Sequence, residues 1–153
     1  GELALVMGAR CRRVSADEAL RYVLGFSCFN DVSQRNIQKG DRSGWFRGKS
    51  FDTFGPIGPQ LVLREDLGDP QKLEITTRLN GQLVQHSSTD KMIFDIATMI
   101  SYISHNMTLE AGDVLVTGTP SGVGPIADGD TVEVEIEGIG VLSNPVVEER
   151  PDE

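Results

Sequence analysis

Long hydrophobic runs are missing from this sequence. No apolar stretch approaches the roughly 18 residues that a membrane-spanning helix needs, and no signal peptide is present, so no membrane association is expected. Cysteine is scarce. Cys11 and Cys28 are too few for a disulfide framework and form no CxxC pair, which points to two reduced thiols in a cytoplasmic protein. Histidine is equally scarce: His86 and His105 are the only two, no HExxH occurs, and neither has a partner that suggests a catalytic triad. Positive charge is in deficit, with 14 Lys and Arg against 23 Asp and Glu and a net charge of −9. A surface of that sign repels nucleic acid and anionic lipid, so neither is expected as a partner. Repeats, linkers and low-complexity tracts are absent as well, and the 153 residues read as one domain, 1–153. The chain opens on Gly1 rather than Met and runs straight into a strand, so the domain is expected to lack an N-terminal lead-in segment.

What is present is a pattern of short strands. Leu3 to Met7 is an apolar run closed by Gly8, a buried strand. Ser15 and Glu18 have the spacing of a capping box, which predicts a short helix through about Tyr22. Val23 to Phe29 is rich in β-formers and predicts a second strand, leading into one or two helical turns over residues 30–38. Residues 39–48 are polar and glycine-bearing and are expected to form a mobile loop. The Gly55-Pro56-Ile57-Gly58-Pro59 cluster predicts a turn before a strand over residues 60–63. Asn80-Gly81 between residues 73–79 and 83–85 is a strong hairpin signal. Met92, Ile93, Ile96, Met99, Ile100, Ile103 and Met107 recur at helical spacing and predict one long helix over residues 91–106, its apolar residues facing the core. A strand over residues 113–117, a glycine-rich loop over 118–125 and a closing hairpin around Gly138-Ile139 complete the chain. Many short strands with a single substantial helix argue for a β-rich α+β domain.

Several residues could carry chemistry. Asp31 follows a predicted buried strand and reads first as a cap of the next helix, although a carboxylate at a strand end is also well placed to bind a hard cation. Glu2 sits at the edge of the first strand and alone reads as an exposed charge. Arg35 and Gln38, three apart, share a helical face that offers a guanidinium fork and an amide to a carboxylate, or simply meets solvent. Lys49, between Gly48 and Ser50 and flanked by aromatics, suggests a partly desolvated ammonium. It is not a P-loop lysine, because only three residues separate Gly44 from Gly48. The loop Thr117-Gly118-Thr119-Pro120-Ser121-Gly122 could offer amides and hydroxyls to an anion, or be a plain connection between strands.

Taken together, the stretches Glu2-Leu3-Ala4-Leu5-Val6-Met7-Gly8, Phe29-Asn30-Asp31-Val32-Ser33-Gln34-Arg35-Asn36-Ile37-Gln38, Gly48-Lys49-Ser50-Phe51-Asp52-Thr53, Leu79-Asn80-Gly81 and Thr117-Gly118-Thr119-Pro120-Ser121-Gly122-Val123-Gly124 resemble, in order, the fumarylacetoacetate hydrolase family. The resemblance implies a mixed β-sheet rolled into an unusual barrel and a homodimer. It implies Mg²⁺ or Mn²⁺ held by an ExE glutamate pair and a downstream aspartate. Glu2 corresponds to the second glutamate and Asp31 to the aspartate, and the first glutamate would stand before Gly1. By the same resemblance Lys49 and Thr53 are catalytic, and Arg35, Gln38 and Thr119 contact the substrate. Hydrolytic members draw a His–Glu pair from an upstream lid segment that is absent here.

The implied substrate is a small 2-oxo acid. The implied chemistry is metal-stabilised enolate formation, with Lys49 as a positive donor near the oxyanion. Three outcomes fit: C–C hydrolysis of an acylpyruvate or diketo acid; isomerisation of a 2-hydroxyhepta-2,4-diene-1,7-dioate type acid, decarboxylation or hydration; and a degenerate metal-binding module without catalysis.

Overall fold

The computed structural model describes residues 1–40, 42 and 44–149. Among the described residues, eight strands form two antiparallel four-stranded sheets. The first contains β1 (Glu2–Met7), β2 (Val23–Phe29), β3 (Ile57–Leu63) and β6 (Val114–Val116), in the order β3-β2-β1-β6. The second contains β4 (Glu74–Leu79), β5 (Gln82–Ser88), β7 (Thr131–Ile136) and β8 (Gly140–Pro145), in the order β5-β4-β7-β8. Four helices accompany them: α1 (Ala16–Ala19), α2 (Arg35–Gly40), α3 (Gly44–Lys49) and α4 (Ile96–Asn106). The β-rich α+β class agrees with the sequence. The strands pair as two antiparallel sheets, and no hydrogen-bonded strand pair among the described residues closes one sheet onto the other, so the single rolled barrel is not borne out.

One core joins the sheets. Leu3, Leu5 and Met7 fall on one side of β1, by its two-residue alternation, and are buried together with Phe26 and Cys28 of β2, Ile75 of β4 and Val134 and Ile136 of β7. Ile96 and Ile100 of α4 enter the same cluster. Polar contacts fix the edges: Gln60 Nε2 on β3 donates to Ile139 O at 2.9 Å, and Cys28 Sγ lies 3.4 Å from Gly140 O.

The Asn80-Gly81 turn forms as the dipeptide demands, with φ of 52° and 76° and Leu79 paired to Gln82. Three local expectations change. Ser15 is the N-cap of α1, but its side chain makes no capping hydrogen bond, so the capping box does not close. The expected loop over residues 39–48 is largely helical where it is described, with α2 running to Gly40 and α3 beginning at Gly44, and residues 41 and 43 lie outside the described residues. The long helix starts at Ile96 rather than at 91, because Asp95 caps it, accepting from Thr98 N at 2.6 Å. Thr89–Lys91 forms a separate 3₁₀ turn before it. With 11 residues, α4 is about three turns long. Among the described residues, no helix is long and apolar enough to cross a membrane.

Candidate active site

The pairing of β1 with β2 creates the site. Glu2 stands opposite Phe29 in this antiparallel ladder, so the start of β1 lies beside the end of β2, and Asp31, two residues on, comes to Glu2. Glu2 is 3% exposed. Its carboxylate accepts from Gly118 N at 2.7 Å, the only hydrogen bond it makes among the described residues. Burial pushes its pKa up, against the Gly118 amide. The negative charge of Asp31 pushes the same way, and Lys49 opposes it. Two carboxylates thus share one partly dry corner.

Lys49, at the end of α3, closes that corner by an ion pair with Asp31. Its ammonium also lies 5.1 Å from the centre of the Trp45 ring. Its position depends on close packing of α2 on α3. A Cβ on Gly48 would stand 3.0 Å from both the Cβ and the backbone nitrogen of Gln38, and Gln34 N donates to Gly48 O at 2.8 Å. On α2, Arg35 Nη1 donates to Gln38 Oε1 at 2.6 Å, the shared face that their spacing predicts. Gln38 is 8% exposed, and its Nε2 is buried with no hydrogen-bond partner among the described residues. A buried amide donor left unspent is costly and is expected where a ligand completes it.

The loop after β6 forms the opposite wall. Thr117 Oγ1 donates to Leu3 O at 3.0 Å and Thr119 Oγ1 to Gly1 O at 3.0 Å, which holds residues 117–119 along the start of β1. Glu2, Asp31 and Lys49 are therefore brought together, with Thr119 along the same strand end and the Arg35–Gln38 pair packed beneath Gly48. Thr53 is exposed, and its side chain hydrogen-bonds none of the others among the described residues. Its backbone adopts φ 64°, an unusual conformation for a β-branched residue. His86 and His105 lie elsewhere, near Glu74 and Thr76 on the second sheet and over Ser101 O on α4.

The donor set fits a hard cation in part. Two adjacent carboxylates, one of them buried with a single hydrogen bond among the described residues, are oxygen donors of the kind a hard cation takes, while the Lys49 ammonium now paired with Asp31 would have to make room for it. Among the described residues no group of three His, Cys, Asp or Glu side chains converges as a metal site. A cavity of about 760 Å³, lined by Leu3, Met92, Phe94 and Tyr102 among others, borders residues 117–120 but touches neither Asp31 nor Lys49. It shares a wall with the site without being the site.

Sequence reasoning missed Gln85. This β5 residue is 5% exposed, and its carboxamide bonds to both Gly1 and the Thr119–Pro120 segment. It also gave Gly118 no individual role, because a backbone amide leaves no signature in residue type.

A β-rich fold with paired carboxylates at a strand end, a lysine against them and a glycine-bearing loop behind defines a class, and comparison with known proteins agrees. The chain belongs to the fumarylacetoacetate hydrolase family: residues 1–147 match its fumarylacetoacetate (FAA) hydrolase C-terminal domain. It is similar to a 5-carboxymethyl-2-hydroxymuconate delta-isomerase from Mycobacterium smegmatis, at 47% identity and TM-score 0.92, over 97% of this chain and 58% of that one. It is similar to a fumarylacetoacetate hydrolase from Exiguobacterium antarcticum, at 46% identity and TM-score 0.91, over 97% of this chain and 55% of that one. The mitochondrial oxaloacetate tautomerase of Rattus norvegicus is 42% identical over 153 residues, 95% of this chain and 49% of the relative. The chain thus spans about half the length of these relatives.

Proposed function

We propose that the full-length protein is a divalent-metal-dependent enzyme that acts on a small 2-oxo acid through its enol or enolate, and that this domain carries the catalytic residues. The supporting observation is the meeting of buried Glu2 with Asp31 and Lys49. In this reading Glu2 and Asp31 hold Mg²⁺ or Mn²⁺, which supplies Lewis-acid stabilisation of enolate charge. Lys49 offers a preorganised positive donor where charge develops on the substrate oxygen. The unspent Gln38 Nε2 and the Arg35 guanidinium orient the substrate, and Thr119 receives its carboxylate end. Thr53 is the second catalytic residue of the reading, its unusual backbone being of the kind that functional sites retain.

Isomerisation and tautomerisation proceed by removal of a proton to a base, giving the enolate, and its return at another atom. C–C hydrolysis also needs a base to activate water. The similarity to a hydroxymuconate isomerase and an oxaloacetate tautomerase supports keto–enol or double-bond isomerisation as the first reading. Hydrolysis of an acylpyruvate is the second reading, favoured by the similarity to a fumarylacetoacetate hydrolase. The buried thiols fit a cytoplasmic enzyme, and a homodimer completes the proposal.

The test is full-length protein with Mg²⁺ or with chelator, offered oxaloacetate, a hydroxymuconate-type diene and an acylpyruvate, with sedimentation velocity on the same preparation. Metal-dependent enol–keto or double-bond conversion is expected. Release of pyruvate from the acylpyruvate would install the second reading. Inactivity on all three would remove the enzyme assignment, and a monomer would remove the homodimer.

A further inference from the structure

Strand β5 carries a bulge beside the site. Thr77 pairs with Gln85 and Arg78 with Leu83, so Val84 is an extra residue. A bulge breaks the two-residue alternation and re-aims a neighbouring side chain. Here Leu83 and Val84 are exposed at 60% and 39%, while Gln85 is buried. A buried carboxamide is costly unless its donors and acceptor are met. The two donors are met, Nε2 donating to Thr119 Oγ1 and to Pro120 O, both at 2.9 Å, and Oε1 lies 2.7 Å from the Gly1 nitrogen, which is the free amino terminus of the sequence described. All three partners lie on the segments that frame the site, namely the residue before Glu2 and the loop whose Gly118 amide holds the Glu2 carboxylate.

A second contact joins the same loop to the same bulge. Gly122 has φ +104°, and a Cβ there would stand 2.0 Å from Val84 O and 3.2 Å from Gln85 Cγ. The loop lies flat on β5 because residue 122 has no side chain.

We propose that Gln85 is a positioning residue of the site: its buried carboxamide ties the Thr119–Pro120 segment to the start of β1 and so sets the Thr119 hydroxyl and the Gly118 amide beside Glu2. It acts through Thr119, whose hydroxyl gives its proton to Gly1 O and accepts from Gln85 Nε2. This inference rests on the 2-oxo-acid reading of the site.

The test uses full-length protein with Gln85→Met, which keeps side-chain length and removes the polar atoms, and Gln85→Glu, which keeps the shape and replaces the donor with an acceptor. Titration calorimetry follows oxalate, a planar dianion shaped like a 2-oxo acid enolate, binding to Mg²⁺-loaded protein, and thermal melting reports the fold. In the folded variants oxalate binding is expected to weaken about tenfold or more, the usual effect of losing a residue that orients ligating groups. Adding Gln85→Met to Thr119→Val is expected to cause no further loss, because both act on one contact. Oxalate affinity within about twofold of wild type, or losses that simply add, would overturn the proposal. Unfolding of both variants would assign Gln85 to the fold instead. If wild-type protein binds no oxalate with Mg²⁺, the 2-oxo-acid reading itself falls and takes this inference with it.

Discussion

Lys49 shows how one side chain serves both architecture and chemistry. Its ion pair with Asp31 is largely shielded, with 27% and 19% of the two side chains exposed, and the Trp45 ring lies nearby. Replacing Lys49 with Met keeps much of the aliphatic stem and removes the charge. Loss of one preorganised electrostatic donor is expected to lower turnover of the full-length enzyme by about 10²–10³. Stability should change by only about 1 kcal/mol, as for a partly exposed pair. Steady-state kinetics with saturating Mg²⁺, beside a melting curve, separates the two effects. Turnover near that of wild type would remove Lys49 from the mechanism. At this scale the sequence is informative where residue type carries the chemistry. Asp31 and Lys49 stand out by residue type and setting, whereas Glu2 alone reads as an exposed charge and is singled out only by the family resemblance; the structure buries it and brings the three together. Gln85 is invisible in the sequence because glutamine in a hairpin strand normally faces solvent, and only the bulge at Val84 turns it inward.

At the scale of elements, α4 shows where pattern fails and capping decides. Apolar residues recur at helical spacing from Met92 onward, yet Ile93 is 93% exposed and the helix begins three residues later. Periodicity cannot distinguish a helical turn from the 3₁₀ turn and extended step that precede Asp95. The cap residue can, because its carboxylate satisfies an amide that the helix leaves free. Asp95→Ala is expected to destabilise the protein by about 1 kcal/mol at neutral pH. The Thr98 amide, aided by the Thr98 hydroxyl, holds the Asp95 carboxyl below the usual aspartate range. Its folded pKa is the lower one, so the stabilisation is present above the ordinary aspartate value and is lost as pH falls through the folded value. Urea unfolding of wild type and Asp95→Ala should therefore differ at pH 7 and converge in strong acid. A constant difference would mean that charge plays no part in the cap. The hairpin at Asn80-Gly81 is legible because that dipeptide encodes its own turn. Helix α2 is legible in part, in the helical turns read over residues 30–38, but α3 is not, since its glycines signal a loop, while Gly48 serves instead to let α3 approach Gln38.

At the scale of the whole molecule, the two thiols report on the core. Cys11 bridges to Leu109 near the α4 end of the fold, and Cys28 sits in β2 between the sheets. Both are 0% exposed and lie in the one cluster that joins the sheets to α4. Burial, only partly offset by hydrogen bonds from the backbone, pushes the Cys28 thiol up to about 11. Since the thiolate is the reactive form, neither cysteine should react with an aromatic disulfide reagent in the native protein at pH 8. Both should react once the core opens. If the sheets share one cooperative core, the two cysteines label at the same rate and with the same denaturant dependence. Labelling of Cys11 well ahead of Cys28 would show that the α4 side opens independently. The same burial gives a pH signature. The folded pKa of Cys28 exceeds its ordinary value of 9.0, so its contribution is intact below pH 9.0 and is lost as pH rises toward about 11. The stability difference between wild type and Cys28→Ala, measured by urea unfolding from pH 7 upward, should hold steady to about pH 9 and narrow beyond it. A difference that does not change up to pH 11 would mean that the thiol ionises as readily in the folded chain as in the unfolded one, and that the space between the sheets is wetter than its side chains indicate.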